Sequence, residues 1–298
     1  MAGRIIPSVF ATDWSPSNLQ TEKYRLSLEG IFQRVKHFGC GYVHLVYSWN
    51  FSKDDVSHIQ ELIHKYRVGI SCVHSLTQLN RPTTPQEVQA ERQQLRNAIA
   101  MADHFGARLV ACNFGQNISR DQRAAIIDCK RHYESCFKEA GDLGITVVVE
   151  NTCSGRVGDE ITTTTEGILA LLEGVGESSF KFHFDPANLQ SMGQEAYPFA
   201  YEQLKDHIRL VHLKDVAPFD ASVDHHRRSE AAGKAIGSAE SRYVSVPVGD
   251  GEVNLHGLVK SLVKDGYEGF LDVETHTVEE RLDEFYMEGL KFISRYLI

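Results

Sequence analysis

The sequence lacks the features that mark membrane, secreted and disulfide-bonded proteins. No hydrophobic run approaches the roughly 18 residues of a membrane-spanning helix. The apolar stretch near the N-terminus is interrupted by Pro7, which makes it too short for the core of a secretory signal peptide. The six cysteines include no CxxC pair, as is typical of free thiols in a reducing compartment. We therefore expect a cytoplasmic protein with no membrane partner.

Positive charge and nucleotide-binding motifs are also scarce. The chain has 31 Lys and Arg against 40 Asp and Glu, which gives a net charge of −9. An acidic surface repels phosphate backbones, so nucleic acid is not an expected partner. No GxGxxG or Walker pattern accompanies Gly249 and Gly251, which are interpreted as turn residues rather than as a phosphate cradle.

What the sequence does contain is a repeated alternation of short apolar strands and amphipathic helices. The predicted strands cover residues 5–10, 42–46, 69–74, 108–112, 146–150, 180–185, 208–213 and 269–274. Helix starts are predicted at Ser52, at Thr84 with Glu87 as a capping box, and at Ser119. The polar residues at the ends of the third to sixth strands follow one another at intervals of 39, 37 and 35 residues.

This spacing predicts an α/β protein that forms a (β/α)8 TIM barrel as a single domain over residues 1–298. Eight units in 298 residues average about 37 residues each, which suits such a barrel. No linker or low-complexity segment divides the sequence. A doubly wound sheet is the alternative, but it gives no reason for polar residues at the ends of so many strands.

Four consecutive strands end in residues that bind metal ions: Glu150, Asp185, His212 and Glu274. The carboxyl ends of barrel strands meet on one face, where active sites lie. Three carboxylates in a low-dielectric pocket would repel one another unless a cation lay among them. Oxygen ligands with one imidazole suit one divalent ion, with Mn²⁺ as the first candidate and Mg²⁺, Co²⁺ or Zn²⁺ as the others. The alternative is a set of polar strand ends that face water.

Side-chain alternation along the strands extends this prediction. His183 and Asp272 would lie one layer below the ligands, where they could orient them. An internal polar pair without a catalytic role is the alternative. Lys214 would point into the mouth of the pocket and contact substrate there, unless it is a solvated lysine.

Further substrate contacts are predicted at other strand ends and in one long loop. His74 and Asn113 follow the third and fourth strands and can donate hydrogen bonds to substrate hydroxyls. Trp14 follows the first strand and could form an apolar wall of the pocket. The loop at residues 214–247 contains Arg227, which could bind a carboxylate or phosphate. Structural packing or solvation is the alternative for each of these residues.

Four features of the sequence, taken together, are typical of one protein superfamily. They are FDPANL at residues 184–189, HLKD at 212–215, GDGEVN at 249–254, and the order Glu, Asp, His, Glu of the strand ends. Together they resemble the xylose isomerase-like TIM-barrel superfamily, the sugar phosphate isomerase/epimerase group. The resemblance implies that Glu150, Asp185, His212 and Glu274 ligate one divalent metal, and that Glu150 and Glu274 double as acid and base. It also implies a sugar, sugar phosphate or polyol as substrate, and a homo-oligomer.

The resemblance implies a metal-dependent isomerase or epimerase that acts through an enediolate. A dehydratase of an inosose or related polyol ketone is the alternative. A DNA-repair endonuclease of the same fold and a non-catalytic carbohydrate-binding barrel are further alternatives, which the acidic charge and the two candidate acid/base residues disfavour. Asn188 departs from the pattern, because ketose 3-epimerases of this group usually have His at this position. We expect Asn188 to contact substrate, with one imidazole fewer at the site.

Overall fold

The computed structural model describes residues 4–11, 27–46, 53–115, 121–153, 157–218, 235–236, 243–277 and 279–297. The strands in this part of the chain are β1 (Ile5–Phe10), β2 (Tyr42–Val46), β3 (Gly69–Gln78), β4 (Leu109–Asn113), β5 (Thr146–Glu150), β6 (Phe180–Phe184), β7 (Ile208–Leu213), β8 (Asp215–Pro218), β9 (Ala235–Ile236), β10 (Tyr243–Val246) and β11 (Gly269–Val273). Eight of these strands form a closed barrel in the order β1-β11-β7-β6-β5-β4-β3-β2. The remaining three, in the order β8-β10-β9, form a small antiparallel sheet.

The helices of the described residues alternate with the barrel strands. They are α1 (Leu28–His37), α2 (Lys53–Tyr66), α3 (Pro85–Phe105), α4 (Gln122–Asp142), α5 (Thr165–Val175), α6 (Pro186–Ser191), α7 (Tyr201–Leu204), α8 (Leu255–Lys264) and α9 (Leu282–Ser294). The paired barrel strands run parallel, as expected when helices connect them. The predicted α/β fold, a (β/α)8 TIM barrel, is therefore confirmed.

The strand boundaries follow the predicted ones closely. β1, β2, β5 and β7 have the predicted bounds, and β4 lies one residue later. β3 continues to Gln78, past the predicted end at His74. β6 and β11 each end one residue early, before Asp185 and Glu274. Asp185 leaves the strand because it forms the N-cap of α6, with its side chain bonded to the Asn188 N–H.

The helix ends show which capping predictions were right. Thr84 and Glu87 form the predicted capping box at the start of α3. Hydrogen bonds from the backbone N–H and the hydroxyl of Thr83, followed by that from the Thr84 N–H, lower the pKa of Glu87 to about 2. α4 begins at Gln122 with Asp121 as its N-cap, two residues after the predicted start at Ser119. The Asp121 carboxylate accepts the Ala124 N–H at 3.0 Å, as a short acidic side chain directly before a helix commonly does. Ser52 and Ser119 lie outside the described residues.

The chain forms two compact units. The first contains residues 8–150 and 170–182, and the second contains residues 1–7, 151–169 and 183–298. In the first unit Val147, Val148 and Val149 of β5 are fully buried, as is usual for parallel strands that are covered on both faces. The organisation of residues 1–298 as a single domain stays a prediction.

In the second unit, the register of two strands fixes which side chains lie side by side. β7 and β11 pair in parallel, with Asp272 opposite His212 and Val273 opposite Leu213. Side chains on one strand alternate between its two faces, so residues two apart share a face. Lys214 and Glu274 therefore follow His212 and Asp272 on the same face, one step further toward the carboxyl ends.

A buried carboxylate holds the loop that precedes α8. Asp215 accepts hydrogen bonds from the backbone N–H groups of Val216, Gly249, Gly251 and Val253, at 2.9 to 3.2 Å. A Cβ atom on Gly251 would lie 2.1 Å from Asp215 Oδ1, so only glycine lets the loop approach so closely. The interpretation of Gly249 and Gly251 as turn residues agrees with this geometry.

We predict that Gly251→Ala lowers the free energy of unfolding by about 1–3 kcal/mol, because the added methyl group displaces a buried carboxylate from its donors. Denaturant unfolding measures the change. Gly41→Ala is the matched control, since no atom lies within 4 Å of a Cβ placed there. Its expected change is within about 0.5 kcal/mol. Equal stabilities for the two variants would contradict the role assigned to this contact.

Candidate metal centre

Three of the predicted metal ligands meet in the second unit. Asp185, His212 and Glu274 lie at the carboxyl ends of β6, β7 and β11, and all three are buried. One ligand atom of each lies within 4.8 Å of those of the other two. His212 Nδ1 is 3.1 Å from Glu274 Oε2 and 3.8 Å from Asp185 Oδ2. Two carboxylates and one imidazole are a donor set that fits a divalent metal ion.

A lysine ammonium lies between the two carboxylates. Lys214 Nζ is 2.7 Å from Asp185 Oδ2 and 2.8 Å from Glu274 Oε2. Only 2% of the lysine side chain is exposed, so the alternative of a solvated lysine is wrong. The contact of Lys214 with substrate stays a prediction, because in this structure the ammonium contacts the acidic groups of the site.

The charges around Glu274 determine its protonation. Burial by itself raises the pKa of the Glu274 carboxyl. Electrostatic interaction with Lys214, followed by that with His212 and His276, lowers this pKa further than burial raises it. The resulting pKa lies well below the usual range of a glutamic acid. Glu274 is therefore a carboxylate in this arrangement.

His276 is a neighbour that the sequence analysis did not identify. Its Nε2 atom is 3.4 Å from Glu274 Oε1, whereas Lys214 contacts the other oxygen, Oε2. The residue is part of the DVETH run that ends at the predicted ligand, two positions after Glu274. The two-residue alternation that was applied before Glu274 would have pointed to His276 if it had been continued beyond it.

The two oxygens of Asp185 have different partners. Oδ1 accepts the Asn188 N–H at 2.9 Å and so caps α6, while Oδ2 contacts Lys214. Asn188 itself donates its side-chain Nδ2 to the carbonyl of Asn151 at 2.9 Å. The predicted substrate contact of Asn188 stays a prediction, and the structure shows this side chain bound to backbone.

Asn151 was missed by the sequence analysis although it directly follows Glu150 in the VVVEN run. Its carboxamide binds both polar groups of the Asp185 backbone. Oδ1 accepts the Asp185 N–H, and Nδ2 donates to the Asp185 carbonyl, each at 2.8 Å. Asn151 is fully buried. This two-point contact holds the backbone that carries a predicted metal ligand.

The residues predicted to lie below the ligands are close to His212. The His183 ring meets the His212 ring edge to face, with centroids 3.9 Å apart. Asp272 lies opposite His212 in the strand register. Both residues are fully buried. Their role in orienting the ligands stays a prediction.

The first unit brings together other predicted site residues. His74 Nε2 and Asn113 Oδ1 are 3.1 Å apart, and both residues lie on barrel strands. The His74 ring stacks on the rings of Phe10 and His44. The sequence analysis did not identify His44 as a site residue, although it lies within the β2 run YVHLV. Glu150 ends β5 opposite Asn113 and is 7% exposed.

Trp14, Arg227 and most of the loop at residues 214–247 lie outside the described residues. The predicted roles of Trp14 and Arg227 therefore stay predictions. Among the helices that the structure describes, none combines the length and the hydrophobicity that a membrane crossing requires.

A family model described as "Xylose isomerase-like TIM barrel" matches residues 16–296. The chain therefore belongs to the xylose isomerase-like TIM-barrel family, which confirms the resemblance seen in its motifs. A comparison with curated proteins finds no match.

Solved structures share the fold at low sequence identity. A xylose isomerase domain protein from Alicyclobacillus acidocaldarius is 16% identical, with a TM-score of 0.73 and coverage of 99% of this chain and 98% of the other. The probable 3-DHS dehydratase AsbF of Bacillus anthracis is 14% identical, with a TM-score of 0.71 and coverage of 97% and 98%. A D-allulose 3-epimerase from Methylomonas sp., in complex with D-allulose, is 15% identical, with a TM-score of 0.70 and coverage of 98% and 97%. The fold thus has both epimerase and dehydratase neighbours.

We predict that Asn151→Ala lowers the free energy of unfolding by about 2 kcal/mol or more, because it leaves the buried N–H and carbonyl of Asp185 without their side-chain partner. Denaturant unfolding tests this. Asn97→Ala is the control. In the part of the chain that the structure describes, the Asn97 side chain accepts a hydrogen bond from the exposed Gln93 on the same helix, 2.9 Å away. Its expected change is within about 0.5 kcal/mol. An Asn151→Ala variant as stable as the control would show that the two-point contact of Asn151 with the Asp185 backbone does not stabilise the fold.

Proposed function

We propose that the protein is a divalent-metal-dependent isomerase or epimerase of a sugar or sugar phosphate, acting through an enediolate. The observation that carries this proposal is the buried cluster of Asp185, His212 and Glu274 at the carboxyl ends of three barrel strands. Active sites of TIM barrels lie at this end of the strands. Buried carboxylates need a cation or several donors, and this donor set suits a hard divalent ion.

Glu150 is the proposed fourth ligand. It ends β5 at the residue before Asn151, and Asn151 is fastened to the backbone of Asp185. Glu150 stands at the carboxyl end of its barrel strand, as the other three proposed ligands do at theirs, which supports this role. Mn²⁺ is the first candidate ion, because the site combines oxygen ligands with a single imidazole and has no thiolate. When bound, the metal would polarise a substrate carbonyl and the hydroxyl next to it.

Glu274 and Glu150 would move the proton. The carboxylate form of Glu274, which the neighbouring positive charges favour, is the form that accepts a proton from carbon. One glutamate would remove the proton from the carbon between the carbonyl and the hydroxyl. The other would return a proton to the opposite face or to the adjacent carbon, which gives epimerisation or isomerisation.

The substrate contacts are proposed from the remaining polar residues near strand ends. His74 and Asn113 form a hydrogen-bonded pair that could bind substrate hydroxyls. Lys214, Asn188, Arg227 and Trp14 are the further proposed contacts, with His183 and Asp272 supporting the ligands from below. A small sugar, sugar phosphate or polyol is the proposed partner, and a cytoplasmic homo-oligomer remains our expectation.

A metal-dependent dehydratase is the second candidate function. Asn188 replaces the imidazole that ketose 3-epimerases of the group usually have, and its carboxamide is bound to the Asn151 carbonyl. The fold similarity to a probable 3-DHS dehydratase is consistent with this alternative. In a dehydratase the same enolate would expel a hydroxyl from the next carbon instead of being reprotonated.

Incubation of the Mn²⁺-loaded protein with ketoses and with inososes in D₂O, followed by NMR, tests these proposals. We expect exchange of deuterium into a carbon next to the carbonyl, with all hydroxyls retained, for an isomerase or epimerase. Loss of water would instead support the dehydratase. Glu274→Gln and Glu150→Gln should each reduce exchange by about 100-fold or more, because each removes a proton-transfer group.

Glu288→Gln is the matched control for these two variants. Glu288 contacts Lys291 on the exposed face of α9, and its replacement should leave exchange unchanged. Wild-type rates in both Glu274→Gln and Glu150→Gln would contradict the proposed acid/base pair. If neither exchange nor elimination occurs with any of these substrates while Mn²⁺ is bound, both proposed activities are wrong.

A further inference from the structure

We propose that Lys214 is an internal counter-ion that competes with the divalent metal for Asp185 and Glu274, and thereby sets the metal affinity of the site. This inference rests on the proposed metal-dependent function. It concerns how tightly the site binds a cation, which the donor set alone does not determine.

The lysine contacts the same oxygens that a metal would use. Its ammonium lies 2.7 Å from Asp185 Oδ2 and 2.8 Å from Glu274 Oε2. Asp185 Oδ1 already accepts the Asn188 N–H, so Oδ2 is the oxygen left for a cation. A metal bound to Oδ2 and Oε2 would face the ammonium charge at close range in a buried site. The ammonium and a divalent ion therefore repel one another at these two oxygens, and the binding of one weakens the binding of the other.

The burial of the lysine makes this competition strong. An ammonium with a 2% exposed side chain needs negative partners, because burying an unpaired charge is costly. Asp185 and Glu274 supply those partners, and the lysine in turn compensates them. A metal must displace the ammonium from both carboxylates before it gains their full attraction. Removal of the lysine charge would leave the site more negative by one unit and would favour cation binding.

The Lys214 ammonium can move while the backbone at the end of β7 stays in place. Lys214 is followed by Asp215, whose carboxylate is fixed by backbone donors from the 249–253 loop. It is preceded in β7 by His212 and Leu213, which are paired with β11. The backbone on both sides is thus held, while the flexible four-carbon stem can carry the ammonium to another position. Once a metal has taken its place, the displaced ammonium can interact with a substrate oxygen.

The test replaces Lys214 with Met and, separately, with Gln, and titrates metal-free protein with Mn²⁺ by calorimetry. We expect Mn²⁺ to bind either variant at least about tenfold more tightly than it binds the wild type, which corresponds to about 1.4 kcal/mol. We also expect the melting temperature of each metal-free variant to fall, because two buried carboxylates lose their counter-ion. A lysine with only a structural role would lower stability without raising metal affinity.

Lys138→Met is the matched control, because Lys138 pairs with Glu134 on the exposed face of α4. Its Mn²⁺ affinity should equal that of the wild type. If Lys214→Met does not fold without metal, Lys214→Gln carries the test, because its amide can still donate to a carboxylate. As a further measurement, saturation of lysine-labelled wild type with diamagnetic Zn²⁺ should shift the ¹⁵N signal of the Lys214 ammonium.

The outcomes separate this inference from the function on which it rests. If the wild type binds Mn²⁺ and the Lys214 variants bind it equally or more weakly, the proposed competition is wrong, whereas the proposed metal site is supported. An unshifted Lys214 signal in the Zn²⁺-saturated protein would overturn the competition as well. A wild type that does not bind Mn²⁺ at all would overturn the proposed metal-dependent function itself.

Discussion

The arrangement of the site depends on the compensation of buried charge at the ends of three barrel strands. Asp185 and Glu274 are acidic side chains in the interior of the second unit, where an uncompensated carboxylate would be unstable. They share one ammonium, that of Lys214, and one imidazole, that of His212. Because these four side chains lie within a few ångströms of one another, a metal ion bound to the carboxylates would repel the Lys214 ammonium and weaken its contacts with them. The metal binding proposed for the site is an exchange of one cation for another at these carboxylates.

The positions of the carboxylates are fixed by side chains that bind backbone. Asn151 holds both backbone groups of Asp185, and the Asp185 carboxylate caps α6. Asp215 gathers four backbone N–H groups and thereby fixes the loop after β10. These contacts are made within the protein and require no ligand. The backbone that carries Asp185 and the loop after β10 are therefore each held by a buried side chain.

Much of this fold could be predicted from the sequence, because its local signals agree with its tertiary structure. The apolar runs at residues 146–150 and 208–213 predicted the strand boundaries correctly, since a parallel barrel buries each strand on both faces. The start of α4 was predicted two residues early because Ser119 and Asp121 are both residue types that commonly cap helices, and only the three-dimensional structure shows that the Asp121 carboxylate accepts a helix N–H. Periodicity placed Lys214 on the correct face of its strand.

The contacts of long side chains could not be predicted in the same way. Alternation indicates the face of a residue, but a lysine stem can carry its ammonium several ångströms in any direction. Alternation therefore predicted a position for Lys214 at the mouth of the pocket, but it could not predict the contacts of its ammonium with two carboxylates. Asn151 was missed because a carboxamide that binds a distant backbone leaves no periodic signal in the sequence. Both residues act through contacts between segments that are far apart in the chain.

The most direct test of the metal site is a crystal structure of the protein soaked with Mn²⁺, with anomalous diffraction measured at the manganese edge. We expect one anomalous peak at bonding distance, about 2.1 Å, from Asp185, His212, Glu274 and Glu150, with the Lys214 ammonium displaced from Asp185 and Glu274. Absence of a peak at these residues, with the ammonium still between the two carboxylates at saturating Mn²⁺, would contradict this expectation.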